Sequence, residues 1–119
     1  MSKRILGVLC TAALAFASPA ESMASEPGYE GCRDVAHAMQ QGHAPENPFS
    51  AGVCLGTIQA MRDMAVAERV ELGQALFCVP KEVVNKDIVR GFVRSRYADE
   101  DSVFTIAVIA YLVDAYQCD

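Results

Sequence analysis

Five cysteines divide this chain: Cys10 lies in an uncharged N-terminal run, while Cys32, Cys54, Cys78 and Cys118 are spread over the remainder. An even set of cysteines in a small exported domain reads as a disulfide framework, so compartment and fold are constrained together. The N-terminal run has the layout of a secretory signal peptide: Lys3-Arg4, then Ile5 to Ala17 without a charge, then small residues ending in Ser22-Met23-Ala24. Cleavage is expected after Ala24, which makes residues 1–24 the signal and removes Cys10. The thirteen uncharged residues fall short of the roughly 20 that span a bilayer, so no membrane anchor is expected after processing. Cys10 follows Leu9 rather than a small residue and lies too early for a lipidation site. The expected location is the periplasm, where thiols oxidise.

Residues 25–119 form 95 residues, enough for one domain. A domain of this size buries only about 60–65% of the surface its unfolded chain exposes, so covalent links fit a need that a small core leaves unmet. Removing Lys3, Arg4 and Glu21 from the 10 basic and 15 acidic residues leaves 8 and 14, a net charge of −6. A nucleic-acid partner would be repelled. A basic protein partner is permitted, although an acidic surface also serves solubility alone.

Four helical patterns follow, with no polar/apolar alternation of the kind a half-buried strand requires, and the predicted fold is an all-α four-helix bundle. Between Tyr29 and Gln41, residues Cys32, Val35, Ala36 and Met39 recur at helical spacing, and Gly42 is a stop signal. Gly42 to Pro48 reads as a loop. A second helix is expected from about Phe49 to Glu68, with Cys54, Ile58, Met61 and Ala65 on one face. Arg69 to Pro80, broken by Gly73 and closed by Phe77-Cys78-Val79-Pro80, reads as an irregular connector. Asn85 is a candidate cap for a third helix carrying Ile88, Gly91, Phe92 and Ser95 on one side, with Asp87 in its first turn. Asp99-Glu100-Asp101 forms an acidic turn, and Asp101 or Ser102 is placed to cap a last helix from Val103 to Gln117. That helix is apolar almost all round, with Ile106, Ile109, Ala110 and Val113 outside its Phe104/Ala107/Val108/Tyr111 side. It needs cover on more than one side, from the bundle centre or from a second subunit.

Four cysteines allow three connectivities, which sequence alone does not separate. Antiparallel hairpin geometry favours one of them. Folding the first two helices about the Gly42 to Pro48 loop sets Cys32 near Cys54, and folding the last two about the Ala98 to Ser102 turn sets Cys78 near Cys118. Closing loops of this size stabilises by about 3–4 kcal/mol each in the chain-entropy model.

No catalytic, cofactor-binding or metal-binding residues are assigned. The mature chain has two histidines, His37 and His43. Cys32 with these two is spaced as neither a zinc site nor a nucleophile–base pair. His37 falls off the apolar stripe and reads as an exposed helix residue. The carboxylates Glu68 and Glu71, like Asp99, Glu100 and Asp101, sit at segment ends where solvated turns are usual. There is no Gly-rich phosphate loop and no Ser-centred elbow. Elimination leaves a binding protein.

Three segments carry a resemblance: Cys54-Leu55-Gly56-Thr57-Ile58-Gln59-Ala60-Met61-Arg62-Asp63, then Phe77-Cys78-Val79-Pro80, then Ala110-Tyr111-Leu112-Val113-Asp114-Ala115-Tyr116-Gln117-Cys118. In order and spacing they resemble the Rap/Tai immunity proteins of type VI secretion systems, over about two thirds of the mature chain. Thr57 stands where the family usually has an aromatic and Ala60 where it has Gly. Asp99-Glu100-Asp101 replaces a frequent His-Pro-Glu. The resemblance implies a disulfide-linked helical periplasmic protein, often dimeric, that binds a secreted peptidoglycan-cleaving amidase and blocks its cleft. Arg96, Tyr97, Asp99, Glu100 and Asp101 are the candidate partner-binding residues, because they join an aromatic and an arginine to an acidic cluster. The rival reading is a small periplasmic acid-stress chaperone, also helical and cystine-linked, whose mark would be an acid-triggered loss of structure with client binding.

Overall fold

A computed structural model describes residues 26–119; the expected signal peptide and Cys10 lie outside the described residues. Four α-helices and one 3₁₀ turn make up the described chain, with no strand among these residues. They are α1 (Pro27–Gln41), α2 (Pro48–Leu72), α3 (Asn85–Arg94), the 3₁₀ turn Arg96–Asp99 and α4 (Phe104–Ala115). None of these helices is long and apolar enough to cross a membrane.

Prolines open the first two helices: Pro27 and Pro48 each occupy a first-turn position, where the missing N–H costs nothing and the fixed φ suits the helix. α1 therefore starts two residues before the expected Tyr29. It ends at Gly42, whose φ of 70° lies in the left-handed region, with the His43 N–H donating to the Ala38 carbonyl at 3.1 Å. The loop that follows is organised by Asp34. Its carboxylate accepts the N–H groups of Glu46 at 3.0 Å and Asn47 at 2.9 Å, and Asn47 Oδ1 in turn accepts the Ser50 N–H at 3.1 Å to cap α2.

α2 runs four residues past the expected Glu68, because Gly73 (φ 74°) is its C-terminal cap, not a break inside the connector. Asn85 does not cap α3 either. Val84 holds the cap position, Asp87 accepts its N–H at 3.4 Å, and the Asn85 side chain is engaged by α2. α4 begins at Phe104 with Val103 before it, in place of Asp101 or Ser102. Its first N–H is satisfied from a distance: Phe104 donates to the Glu26 carboxylate at 3.0 Å. The Tyr29 hydroxyl donates to the Ser102 carbonyl just upstream. The two contacts fasten the start of α1 to the start of α4.

The core is a single cluster built on Tyr29, Phe77, Phe92, Phe104, Ile58, Ile88 and Leu112. Edge-on aromatic pairs run through it, Tyr29–Phe104 at 5.2 Å, Phe92–Phe104 at 5.8 Å and Phe92–Tyr111 at 5.8 Å between centroids. α1 and α2 form the most extensively packed helix pair, and Gly31 permits their close approach: a Cβ there would lie 1.7 Å from the Ser50 carbonyl oxygen. Cys32 bonds to Cys54 across this pair. Cys78 bonds to Cys118, tying the connector to the chain end, and the Cys78 N–H donates to the Tyr116 carbonyl at 2.7 Å beside it.

The last helix is covered on one side only. Phe104, Ala107, Val108 and Leu112 are buried, while Val103, Ile106 and Val113 face outward.

Candidate functional site

The turn between α3 and α4 is held from three directions. Arg96 stacks on its neighbour, with the guanidinium carbon 5.0 Å from the Tyr97 ring centroid, and Arg96 Nη2 donates to Tyr97 Oη at 3.0 Å. Tyr97 Oη donates to the Asp114 carboxylate of α4 at 3.3 Å, and the ring packs against Tyr111 at 6.4 Å between centroids. Contact with the Tyr97 oxygen and the nearby Asp114 carboxylate holds the already high Arg96 pKa higher still. Glu100 has φ 62°, the left-handed conformation rare for a non-glycine residue, and its carboxylate reaches the Arg33 guanidinium of α1 at 3.3 Å. Ser95 Oγ donates to the Phe92 carbonyl at 2.6 Å, closing α3 above the turn.

The five residues singled out from sequence therefore divide. Arg96 and Tyr97 lean on α4, Glu100 on α1, and Asp99 and Asp101 project outward, exposed. The result is a braced turn with two outward carboxylates. Tyr29 and Tyr111, which support it from below, have hydroxyl pKa values raised chiefly by burial and remain neutral hydrogen-bonding groups at ordinary pH.

The Cys32, His37 and His43 grouping is separated by the fold. Cys32 is fully buried in its disulfide, while His37 and His43 lie on the surface with ring centroids 5.9 Å apart. Among the described residues no three His, Cys, Asp or Glu side chains gather into a metal-binding cluster. Glu68 accepts the Leu76 N–H at 3.4 Å and Glu71 is exposed, so the first of these carboxylates has a local structural partner.

A second surface is not apparent from the sequence. Between the second half of α2 and the connector 73–84 runs a trough, with a depression of about 110 Å³ at its centre and a wider one of about 650 Å³ beside the Cys78–Cys118 bond. Arg62 holds its far wall, donating to the Val83 carbonyl at 2.7 Å and to Asn85 Oδ1 at 2.9 Å. Asn85 Nδ2 donates to Gln59 Oε1 at 2.8 Å, completing the clamp. The sequence signal for this surface is Val66, an exposed apolar residue off the Cys54/Ile58/Met61/Ala65 stripe.

Comparison with protein-family models, with curated proteins and with solved structures finds no match.

Proposed function

We propose that this chain is a periplasmic immunity protein that binds a secreted peptidoglycan amidase of a type VI secretion system and occludes its cleft. The observation that carries this reading is the braced turn: Tyr97 tied to α4 and Glu100 tied to α1 hold Asp99 and Asp101 outward on a disulfide-linked scaffold. A pre-ordered turn loses little conformational entropy on binding, which suits tight inhibition by steric occlusion. The segments that resemble the Rap/Tai family also have structural work here, since Cys54, Phe77, Cys78 and Cys118 supply one buried aromatic and three of the four bonded cysteines. Occlusion requires burying roughly 1,200–2,000 Å² of combined surface and no bond-breaking chemistry.

A second copy of the chain belongs to the same reading. Exposed Val103, just before α4, and exposed Ile106 and Val113 within it recur with half-buried Ala110 at i, i+3, i+7 and i+10, a stripe that a two-fold related copy would cover. Light scattering at micromolar concentration is expected to give a dimer mass for the native chain and a monomer mass for Ile106→Asp.

The direct test is binding to a secreted peptidoglycan amidase of a type VI secretion system from the same organism, using Tyr97→Ala/Glu100→Ala against the native chain. A loss of affinity of at least tenfold supports the turn, and unchanged affinity removes it. Failure of the native chain to bind or inhibit that amidase removes the immunity reading. The acid-stress chaperone reading draws on a separate observation, the low pKa that backbone hydrogen bonds from Asn47 and Glu46 give Asp34. It requires acid-induced client binding, which light scattering of a denatured client would detect.

A further inference from the structure

The middle of the trough beside α2 is lined by Arg62, Arg69 and Lys81 around a floor that includes Ala65, Phe77 and Val79, with no carboxylate among its lining residues. This is a concentration of positive charge on a chain whose formal net charge is −5. Arg62 is occupied by the connector, but Arg69 and Lys81 have no hydrogen-bond or ion-pair partner among the described residues. Val66, which lines the trough beside them, is 63% exposed. Among the residues that line the trough, carboxylates return only towards the ends, with Asp63 on the Val84 side and Asp119 beside the disulfide.

We propose that this trough docks a short segment of a partner protein in which an apolar side chain lies within two residues of a central Asp or Glu. The two halves of that description come from two different features. Arg69 and Lys81 line one depression, so a carboxylate placed there meets both charges at once. Phe77 is already fully buried, but a small hydrated anion would leave exposed Val66 and half-buried Val79 wet, whereas a peptide segment covers them and presents its carboxylate to Arg69 and Lys81. Asp63 and Asp119 at the ends disfavour acidic residues there, so the acidic position belongs in the middle of the segment. The site is separate from the Arg96–Asp101 turn and holds whether or not the partner is an amidase.

The experiment is selection from a random ten-residue peptide phage library on the full chain, purified oxidised, with counter-selection on Arg69→Glu/Lys81→Glu. Both side chains lack partners among the described residues, so the variant is expected to keep the native circular dichroism spectrum and melting curve. The proposal expects enriched peptides with a central Asp or Glu next to Leu, Ile, Val or Phe. By fluorescence anisotropy the chosen peptide should bind the native chain at least tenfold more tightly than the charge-reversed variant, and Val66→Asp should weaken it similarly. Enrichment without a carboxylate, equal binding to the variant, or no enrichment at all overturns the proposal. So does a native dimer that Arg69→Glu/Lys81→Glu converts to monomer, since that result gives the trough to a second copy.

Discussion

The two disulfides sit in opposite surroundings. Cys32–Cys54 joins two helices in close contact, closes a separation of 22 residues and has both partners fully buried. Cys78–Cys118 joins an irregular connector to the chain end, closes a separation of 40 residues and leaves Cys118 exposed. Around the first, packing and the covalent bond hold the same residues; around the second, the bond supplies much of what positions the connector, helped by buried Phe77 and the Arg62 clamp. The packing around a disulfide's ends therefore counts beside loop length, and here it is expected to reverse the order that loop length alone gives.

The largest expected effect tests that order. Chain entropy assigns about 3.5 kcal/mol to the shorter loop and about 4 kcal/mol to the longer. Replacing Cys32 and Cys54 with Ala also empties a buried, close-packed site, which adds about 1–2 kcal/mol. Urea unfolding followed by circular dichroism should thus show Cys32→Ala/Cys54→Ala less stable than Cys78→Ala/Cys118→Ala by about 0.5–1.5 kcal/mol. The reverse order would mean that loop length governs after all.

A smaller effect sharpens the contrast within the first hairpin. Gly31→Ala drives a methyl into the Ser50 backbone and should cost about 3 kcal/mol by forcing α1 from α2. A methyl added at Gly56, on the exposed side of α2, meets nothing within 4 Å, and Gly56→Ala should stabilise by about 0.5–1 kcal/mol. Thermal melts of the two variants should move in opposite directions.

The smallest effect concerns the loop between those helices. Asp34 has its pKa lowered by the N–H groups of Asn47 and Glu46, so it stabilises the folded state above the ordinary carboxylate pKa. That contribution is lost as pH falls through the depressed folded value, in a window below about pH 4. Asp34→Asn should flatten the pH dependence of stability in that window. An unchanged acid limb would show that the loop does not depend on this carboxylate.

Much of the fold is legible in the sequence because helical spacing and cysteine placement point the same way: Cys32, Val35, Cys54 and Ile58 are both periodic and buried. Helix ends are less legible where a distant group substitutes for a local cap. Glu26 satisfies the Phe104 N–H from far along the chain, and Asn85 has the residue type of a cap but serves Arg62 and Gln59. Gly73 reads as a break because a left-handed cap and an interruption share one residue type. The bracing of the turn by Arg33 and Asp114 is invisible in sequence, since both partners lie on other helices. The trough is invisible for the same reason: Arg69 and Lys81 become neighbours only when the connector folds back on α2.

The difference between the two bonds is read most directly by timed reduction of the native chain with dithiothreitol, alkylation of freed thiols and mass spectrometry of the peptides. Cys78 and Cys118 should be labelled first, with Cys32 and Cys54 protected until denaturant unfolds the bundle. Labelling of both pairs at one rate, or of Cys32 and Cys54 first, would overturn the distinction drawn between them.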